Sequence, residues 1–342
     1  MGPIEHPRLR SWWASDTADH GRLSSDDPAV RRLLTVIDPA ASASNLGGTM
    51  SLNLHVKPRG LVLRVHQPFV SRRRVIALQR VRQSLARQGL VVPVPLGHDG
   101  TTTLRCGHRW AELESYVVHK QPDATIDSYR WLFAAMGDLH HALVHLDISI
   151  PRPAVAAYAP PSSLRRWLRS TVAVARAQRD ESVHAVPEQA VVLLRALQRR
   201  WVPASRLPNQ FVHGDVRLGN LGLSPAGDAV YLDFGFLAMR PRVHDLAYAL
   251  TFILLARHAQ DSPEEFDWSI IPDLIAAYHV TAPYPLTPLE RQALAPLAAS
   301  VLLYPLALAG FSSTPGSQIS LEKFKLPLTN WLLTHPTTMQ VC

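Results

Sequence analysis

The chain is poor in the residues that build covalent and metal frameworks. Its 342 residues include two cysteines, Cys106 and Cys342, too far apart in sequence to suggest a disulfide scaffold or a thiolate metal site, so a reducing cytoplasm is the expected compartment. Lysine is nearly missing: only Lys57, Lys120, Lys323 and Lys325 occur, and arginine carries the formal net charge of +8. The arginines are scattered, with neither a basic recognition helix nor an aromatic-bearing sheet motif, so no nucleic-acid partner is expected and the charge favours anionic or neutral ligands. Met1 to Arg10 holds no apolar core of signal-peptide length. A long apolar run free of breakers is lacking too. Ala293 to Phe311 is long enough to span a bilayer, but Pro296, Ser300, Pro305 and Gly310 interrupt it, so a buried helical hairpin is expected and no membrane partner. Among the sixteen histidines, His140 and His141 are adjacent and cannot share one helix face as metal ligands.

What is present is enough for a large core. Hydrophobic residues make up 47% and charged residues 18%, and the length suits two packed units. Ser25-Asp26-Asp27-Pro28 before Val30, Leu33, Leu34 and Ile37 predicts a capped leading helix within residues 1–40. A glycine-containing segment, Gly47-Gly48-Thr49-Met50-Ser51, then precedes two β-prone runs, Leu52 to Val56 and Leu61 to Val65, joined by a Lys57-Pro58-Arg59-Gly60 turn. A helical stripe follows from Arg72 to Arg87, then extended segments at Val91 to Leu96, Thr102 to Leu104 and Ala111 to Val117. Asp127 to Leu143 reads as an amphipathic helix, and Pro151, Pro153, Pro160 and Pro161 mark an irregular crossing. The expected architecture is α+β and bilobal: a small β-rich N-lobe over residues 41–118, with its hinge near Tyr116 to Pro122, and a larger helical C-lobe over residues 119–342.

The chemistry concentrates in Phe211-Val212-His213-Gly214-Asp215-Val216-Arg217-Leu218-Gly219-Asn220 and in Val230-Tyr231-Leu232-Asp233-Phe234-Gly235. Phosphoryl transfer from ATP needs a carboxylate to orient the attacking hydroxyl and oxygen ligands to hold magnesium on the triphosphate. An Asp, four residues, an Asn and a downstream Asp-Phe-Gly supply that inventory in the order protein kinases use it. Taken singly, Asp215, Asn220 and Asp233 would read as turn and cap residues; their joint spacing favours function. Arg64, inside Leu61-Val62-Leu63-Arg64-Val65, stands where kinases place the cation for the nucleotide phosphates, with Lys57 as the competitor in a turn. The segment Gly47-Gly48-Thr49 can cover phosphates with backbone N–H groups or form a plain turn. Ser71 to Gln88 contains no acidic residue to pair with that cation, leaving Gln79 as a candidate acceptor. The acidic stretch Asp261, Glu264, Glu265 and Asp267 with Trp268 marks a possible substrate site, weighed below its reading as a solvated loop.

These motifs resemble the aminoglycoside phosphotransferase and choline kinase-like family, whose signature corresponds here to His213-Gly214-Asp215, Asn220, Asp233, Pro241 and Asp245-Leu246-Ala247. The resemblance implies a protein kinase-like fold and a small-molecule kinase. It makes Asp215 the hydroxyl-orienting base, Asn220 and Asp233 magnesium ligands, His213 a support of the catalytic loop, and Asp245 a structural acid accepting backbone bonds. Adenine would dock on backbone groups near Leu113 to Val117, with apolar walls from Val62 and Leu223. The implied cofactors are Mg2+ and ATP, with GTP open as donor. The implied partner is a hydroxyl-bearing small molecule: an antibiotic first, with choline, homoserine or a sugar as metabolic rivals, and a silent nucleotide-binding fold as the alternative of another class. With 27 acidic against 35 basic residues, the expected acceptor is neutral or anionic, since a polycation needs a carboxylate-dense cleft.

Overall fold

Asp27 and Pro28 begin the first described helix as expected. The Asp27 carboxylate accepts a bond from the Ala29 N–H at 2.8 Å, and the helix α1 runs Pro28–Ile37 with Val30, Leu33 and Ile37 buried. A computed structural model describes residues 23–48, 50–154, 158–178, 180 and 182–339. Thr49 and residues 1–22 of the expected leading segment lie outside the described residues.

Behind α1 stands a six-stranded antiparallel sheet: β1 (Ser42–Asn45), β2 (Leu52–Lys57), β3 (Leu61–Val65), β4 (Pro95–Leu96), β5 (Leu104–Cys106) and β6 (Arg109–Ser115), in the order β1-β2-β3-β6-β4 with β5 on β6. The Thr102–Leu104 and Ala111–Val117 strands expected from sequence are therefore shifted by about two residues, and Val91–Val94 contribute only a bridge from Val91 to Val230. Strand alternation sorts the side chains onto two faces. Leu54, Leu63, Val65, Ala111 and Leu113 join Val30, Leu33 and Ile37 in the N-lobe core under α1. The register Arg64↔Glu112 and Val62↔Glu114 puts two carboxylates and a guanidinium on the opposite face. That face is covered by α2 (Arg72–Arg87), whose N-cap Ser71 accepts from the Arg74 N–H.

The polar layer between α2 and the sheet is a charge network. Arg82 of α2 is paired with both Glu112 and Glu114, and all three side chains are nearly inaccessible. His66 lies 3.1 Å from Glu112, and Gln79 donates to Glu112 at 2.9 Å. Gln79 therefore belongs to the Glu112 side of the network and is not the acceptor for Arg64. Burial pushes the Glu112 carboxyl up, but Arg82 and His66 more than offset this and hold it well below the usual carboxylate range.

The C-lobe is helical: α3 (Ile126–Val144), α4 (Pro161–Arg176), α5 (Ser182–Arg200), α6 (Val243–Ala256), α7 (Ile270–Thr281), α8 (Pro288–Leu308), α9 (Pro315–Glu322) and α10 (Leu326–Thr334), with two small ladders, β7 (Asn209–Val212) with β10 (Ala238–Pro241) and β8 (Leu221–Leu223) with β9 (Ala229–Tyr231). α3 packs against α7 at Gly137, where a Cβ would stand 2.7 Å from the Tyr278 carbonyl. The apolar run read as a hairpin is one continuous helix, α8, with Pro296 and Pro305 inside it. Each proline removes one backbone donor, but packing against α4, α6 and α10 keeps the helix unbroken. Its membrane-like hydropathy is explained by burial: 83% of its apolar window lies inside the fold.

Removing one partner of a buried pair strands the other's charge, typically at a cost of about 3–5 kcal/mol. Arg82→Ala is therefore expected to lower unfolding stability by about that amount in urea denaturation, with a loss under about 1 kcal/mol counting against a structural role for the network.

Candidate active site

The site is assembled around a carboxylate that has no access to water. Asp245, in the first turn of α6, is 0% exposed. It accepts bonds from the His213 N–H at 2.8 Å, the Gly214 N–H at 2.9 Å and His140 Nε2 at 3.2 Å. Burial raises its pKa, yet the bond from His140 and the nearby His244, 3.6 Å away, leave it far below the ordinary aspartate value. Gly214 is held at φ +83°, and a Cβ there would lie 2.7 Å from the Phe236 carbonyl, so only glycine fits the turn. His213 is 0% exposed. Its Nε2–H donates to the Leu232 carbonyl at 2.8 Å, so Nδ1 is the acceptor for the Asp215 N–H at 3.3 Å. Its ring supports the loop from behind and does not face the cleft.

This anchoring presents Asp215 at the end of β7 and Asn220 before β8. The Asn220 amide donates to the Asp215 carboxylate and to its backbone carbonyl, both at 2.8 Å. Its side-chain oxygen is left for another partner. The other carboxylate oxygen of Asp215 accepts from the Tyr248 hydroxyl at 2.6 Å and lies 3.3 Å from Arg217 Nε. Burial pushes the Asp215 carboxyl above its ordinary value, against the pull of Arg217 and Tyr248, the direction that suits a group meant to take a proton.

Asp233 follows β9 in a left-handed conformation, φ 54°. One of its oxygens accepts from Arg64 at 3.0 Å and from the Gly235 N–H at 3.3 Å; the other carries no protein bond among the described residues. Burial raises its pKa, but the Arg64 guanidinium outweighs this and the net shift is downward. Arg64 also lies 3.5 Å from Glu114. The partner acid missing from α2 is thus supplied by β6, while α2 contributes the cation Arg82. A second α2 arginine, Arg74, donates to the Gly235 and Leu237 carbonyls at 2.7 and 2.9 Å; burial and nearby Arg240 lower its pKa to about 10.

Asp215, Asn220 and Asp233 open together onto one cavity of about 430 Å³, which Gly48 and Met50 of the β1–β2 loop also reach. Phe236, Phe252, Leu255, Leu302 and Pro305 form its apolar wall, and Arg217 and Lys325 are its cations. The Lys325 ammonium is matched by Glu322 at 2.5 Å. A neighbouring cavity of about 320 Å³ is lined by Arg64, Arg74, Met50 and Asp233. The free oxygens of Asn220 and Asp233 are hard donors that fit a divalent cation.

Other sequence-predicted residues are dispersed. Gly47 and Gly48 sit in the β1–β2 loop at φ +80° and +102°. Leu113 faces the N-lobe core, away from the cleft. Val117 and Leu223 flank the hinge, where Lys120 and Leu223 exchange two backbone bonds and the Val117 carbonyl lies 2.8 Å from His119 Nδ1. Lys57 is exposed at the end of β2. The Asp261–Asp267 stretch is a turn before α7 with exposed acids, and none of them lines the cavity, so the solvated reading was the correct one. Sequence reasoning missed Glu112, Glu114, Arg82, Arg217 and Tyr248. Strand alternation would have put both glutamates on the Arg64 face; Tyr248 stands one helical turn after Asp245.

A sequence model of the phosphotransferase enzyme family matches residues 46–291, and a comparison with curated proteins finds no match. Among solved structures, a microcompartment-associated aminopropanol kinase superposes with a TM-score of 0.67 at 18% identity, over 91% of this chain and 99% of that one. An amicoumacin kinase in complex with AMP-PNP, Ca2+ and its ligand gives 0.65 at 13% identity, over 88% and 93%. An ethanolamine kinase of Plasmodium vivax gives 0.56 at 10%, over 88% and 87%. These likenesses show the kinase-like bilobal fold.

A charge-assisted bond is worth about 1.5–3 kcal/mol, so Arg64→Ala should weaken Mg-ATP binding by about one to two orders of magnitude, whereas Lys57→Ala should stay within about twofold. Calorimetric titration reads both; the reverse ranking would move the phosphate-binding role to Lys57.

Proposed function

The chain belongs to the phosphotransferase enzyme family, and from that premise we propose that it transfers the γ-phosphoryl group of ATP, with Mg2+ as the divalent ion, to a hydroxyl of a neutral or anionic small molecule. An antibiotic of nucleoside or macrolide type is the leading acceptor class. The observation that carries this reading is the single cavity onto which Asp215, Asn220 and Asp233 all open.

Asp215 orients the acceptor hydroxyl and takes its proton as the oxygen–phosphorus bond forms and the bond to the β-phosphate breaks, releasing ADP. Its upward-shifted carboxyl is placed by Asn220 and Tyr248. When bound, the metal neutralises charge on the transferring phosphoryl group. Asn220 and Asp233 would hold it through their free oxygens, and Arg64, already beside Asp233, would reach the phosphates. The β1–β2 loop reaches the same cavity through Gly48 and Met50.

The cavity wall supports this acceptor class. Among the described residues its carboxylates are Asp215 and Asp233, both assigned to the chemistry, which leaves no surplus negative charge there to desolvate several ammonium groups. The aromatic and aliphatic residues suit a bulky acceptor with apolar surface.

Two measurements test the reading. Asp215→Asn should retain Mg-ATP binding while turnover falls by about a hundredfold or more; near-normal turnover would remove Asp215 from the mechanism. Screening hydroxylated antibiotics and metabolites with labelled ATP, followed by mass spectrometry, should yield phosphorylated neutral or anionic products. Efficient, salt-sensitive phosphorylation of a kanamycin-like aminoglycoside would overturn the acceptor class.

A further inference from the structure

The orientation of Asp215 depends on a side chain outside the catalytic loop. α6 carries His244, Tyr248 and Phe252 at four-residue spacing, so their rings stack along one helix face. The ring centroids are 6.0 Å apart for His244 and Tyr248 and 4.9 Å for Tyr248 and Phe252. Tyr158 closes the far end, edge-on to His244 at 5.3 Å. The Tyr248 ring therefore has little freedom to move, and its hydroxyl reaches Asp215 Oδ1 at 2.6 Å while the residue lines the acceptor cavity.

One helical turn separates this hydroxyl from Asp245, which holds the His213 and Gly214 N–H groups. A single rigid segment of α6 thus fixes both the backbone leading into Asp215 and one oxygen of its carboxylate. The other oxygen is held by Asn220 at 2.8 Å. Arg217 also approaches Oδ1, at 3.3 Å, but its side chain is 41% exposed and is a looser tether.

We propose that Tyr248 is a positioning residue for phosphoryl transfer: its hydroxyl locks the Asp215 carboxylate in the orientation that meets the acceptor hydroxyl. The inference rests on the reading of Asp215 as the acceptor-orienting group. Tyr248 takes no proton itself, because burial and the Asp215 charge push its pKa well above the ordinary tyrosine value. The acceptor's proton goes to Asp215. Holding a reacting group in its productive geometry is a rate term and not a binding term, so it is read in kcat and not in nucleotide affinity.

Tyr248→Phe keeps the ring ladder and deletes only the hydroxyl. Magnesium-dependent ATP hydrolysis, with water as acceptor, is measured for the wild-type chain, Tyr248→Phe, Asp215→Asn and the double variant. Tyr248→Phe is expected to lower kcat about tenfold while the KM for ATP stays unchanged. In the Asp215→Asn background the same change should cost nothing more, because Tyr248 acts through that carboxylate. A kcat within about twofold of wild type, or an equal loss in both backgrounds, overturns the proposal. Crystal structures of wild type and Tyr248→Phe give an arm independent of activity: a rotated Asp215 carboxylate supports the proposal and an unmoved one overturns it. A wild-type chain that neither hydrolyses ATP nor phosphorylates any acceptor would instead sink the phosphotransferase reading, leaving the structural arm to decide the role of Tyr248.

Discussion

A carboxylate sealed from water must be matched by donors that cannot leave, and Asp245 meets that constraint with the backbone N–H groups of His213 and Gly214 and the imidazole of His140. Those bonds tie α3, α6 and the catalytic loop into one arrangement. The residue after Gly214 is Asp215. The His213 ring, held in place, reaches the carbonyl of Leu232, the residue before Asp233. One buried charge therefore sets the position of both Asp215 and Asp233, although no hydrogen bond joins it to either among the described residues. Hydrogen bonds to a charged group are worth about 1.5–3 kcal/mol each, and the loop is held by two through its backbone alone, so its conformation is insensitive to side-chain motion in the cleft.

The N-lobe solves a different problem with the same physics. Arg64 is largely buried on the sheet face under α2 and needs carboxylates nearby. Glu114 and Asp233 serve Arg64, and Arg82 serves Glu112 and Glu114 in turn. The polarity across the α2–sheet interface is the reverse of the arrangement expected from kinases: the acids are on the strand and the arginine is on the helix. The pairing survives because charge complementarity depends on distance and burial, not on which element contributes which sign. Arg74 extends the connection by gripping the carbonyls that follow Asp233, so α2 is fastened to the C-lobe segment that carries the acid.

α8 plays two parts. Most of its surface is buried in the two C-lobe cores, with Leu294, Leu297 and Leu302 in one and Leu303 and Leu306 in the other. The same helix also lends Val301, Leu302, Tyr304 and Pro305 to the lining of the cavity onto which Asp215, Asn220 and Asp233 open. An apolar helix that looks like a membrane span by hydropathy is thus the hydrophobic partner on which several elements close, and it also makes the cleft wall greasy where a carboxylate lining would be needed for a polycation.

The sequence alone was enough to single out Asp215, Asn220 and Asp233, which the fold brings to one cavity, and to indicate the two-lobe plan. Asp215, Asn220 and Asp233 are marked by local spacing around strand-forming runs, and α1, α2 and the β2–β3 hairpin follow from capping residues, periodicity and turn chemistry that act within a few residues. Tertiary structure decided what depends on contacts distant in the chain. The partners of Arg64 lie 50 and 169 residues away, so no local pattern could name Glu114 and Asp233 as the acids that replace a helix glutamate. The side chain of Leu113 is turned into the N-lobe core by the pleat, so this position can offer the cleft its backbone alone. The apolar run from Ala293 was split at its prolines because a proline is costly in an isolated helix; only the packing of α4, α6 and α10 around it makes the unbroken helix the lower free-energy state. Tyr248 had no signal of its own, since a hydroxyl's reach to a carboxylate 33 residues earlier exists only once α6 has been docked against the loop by Asp245.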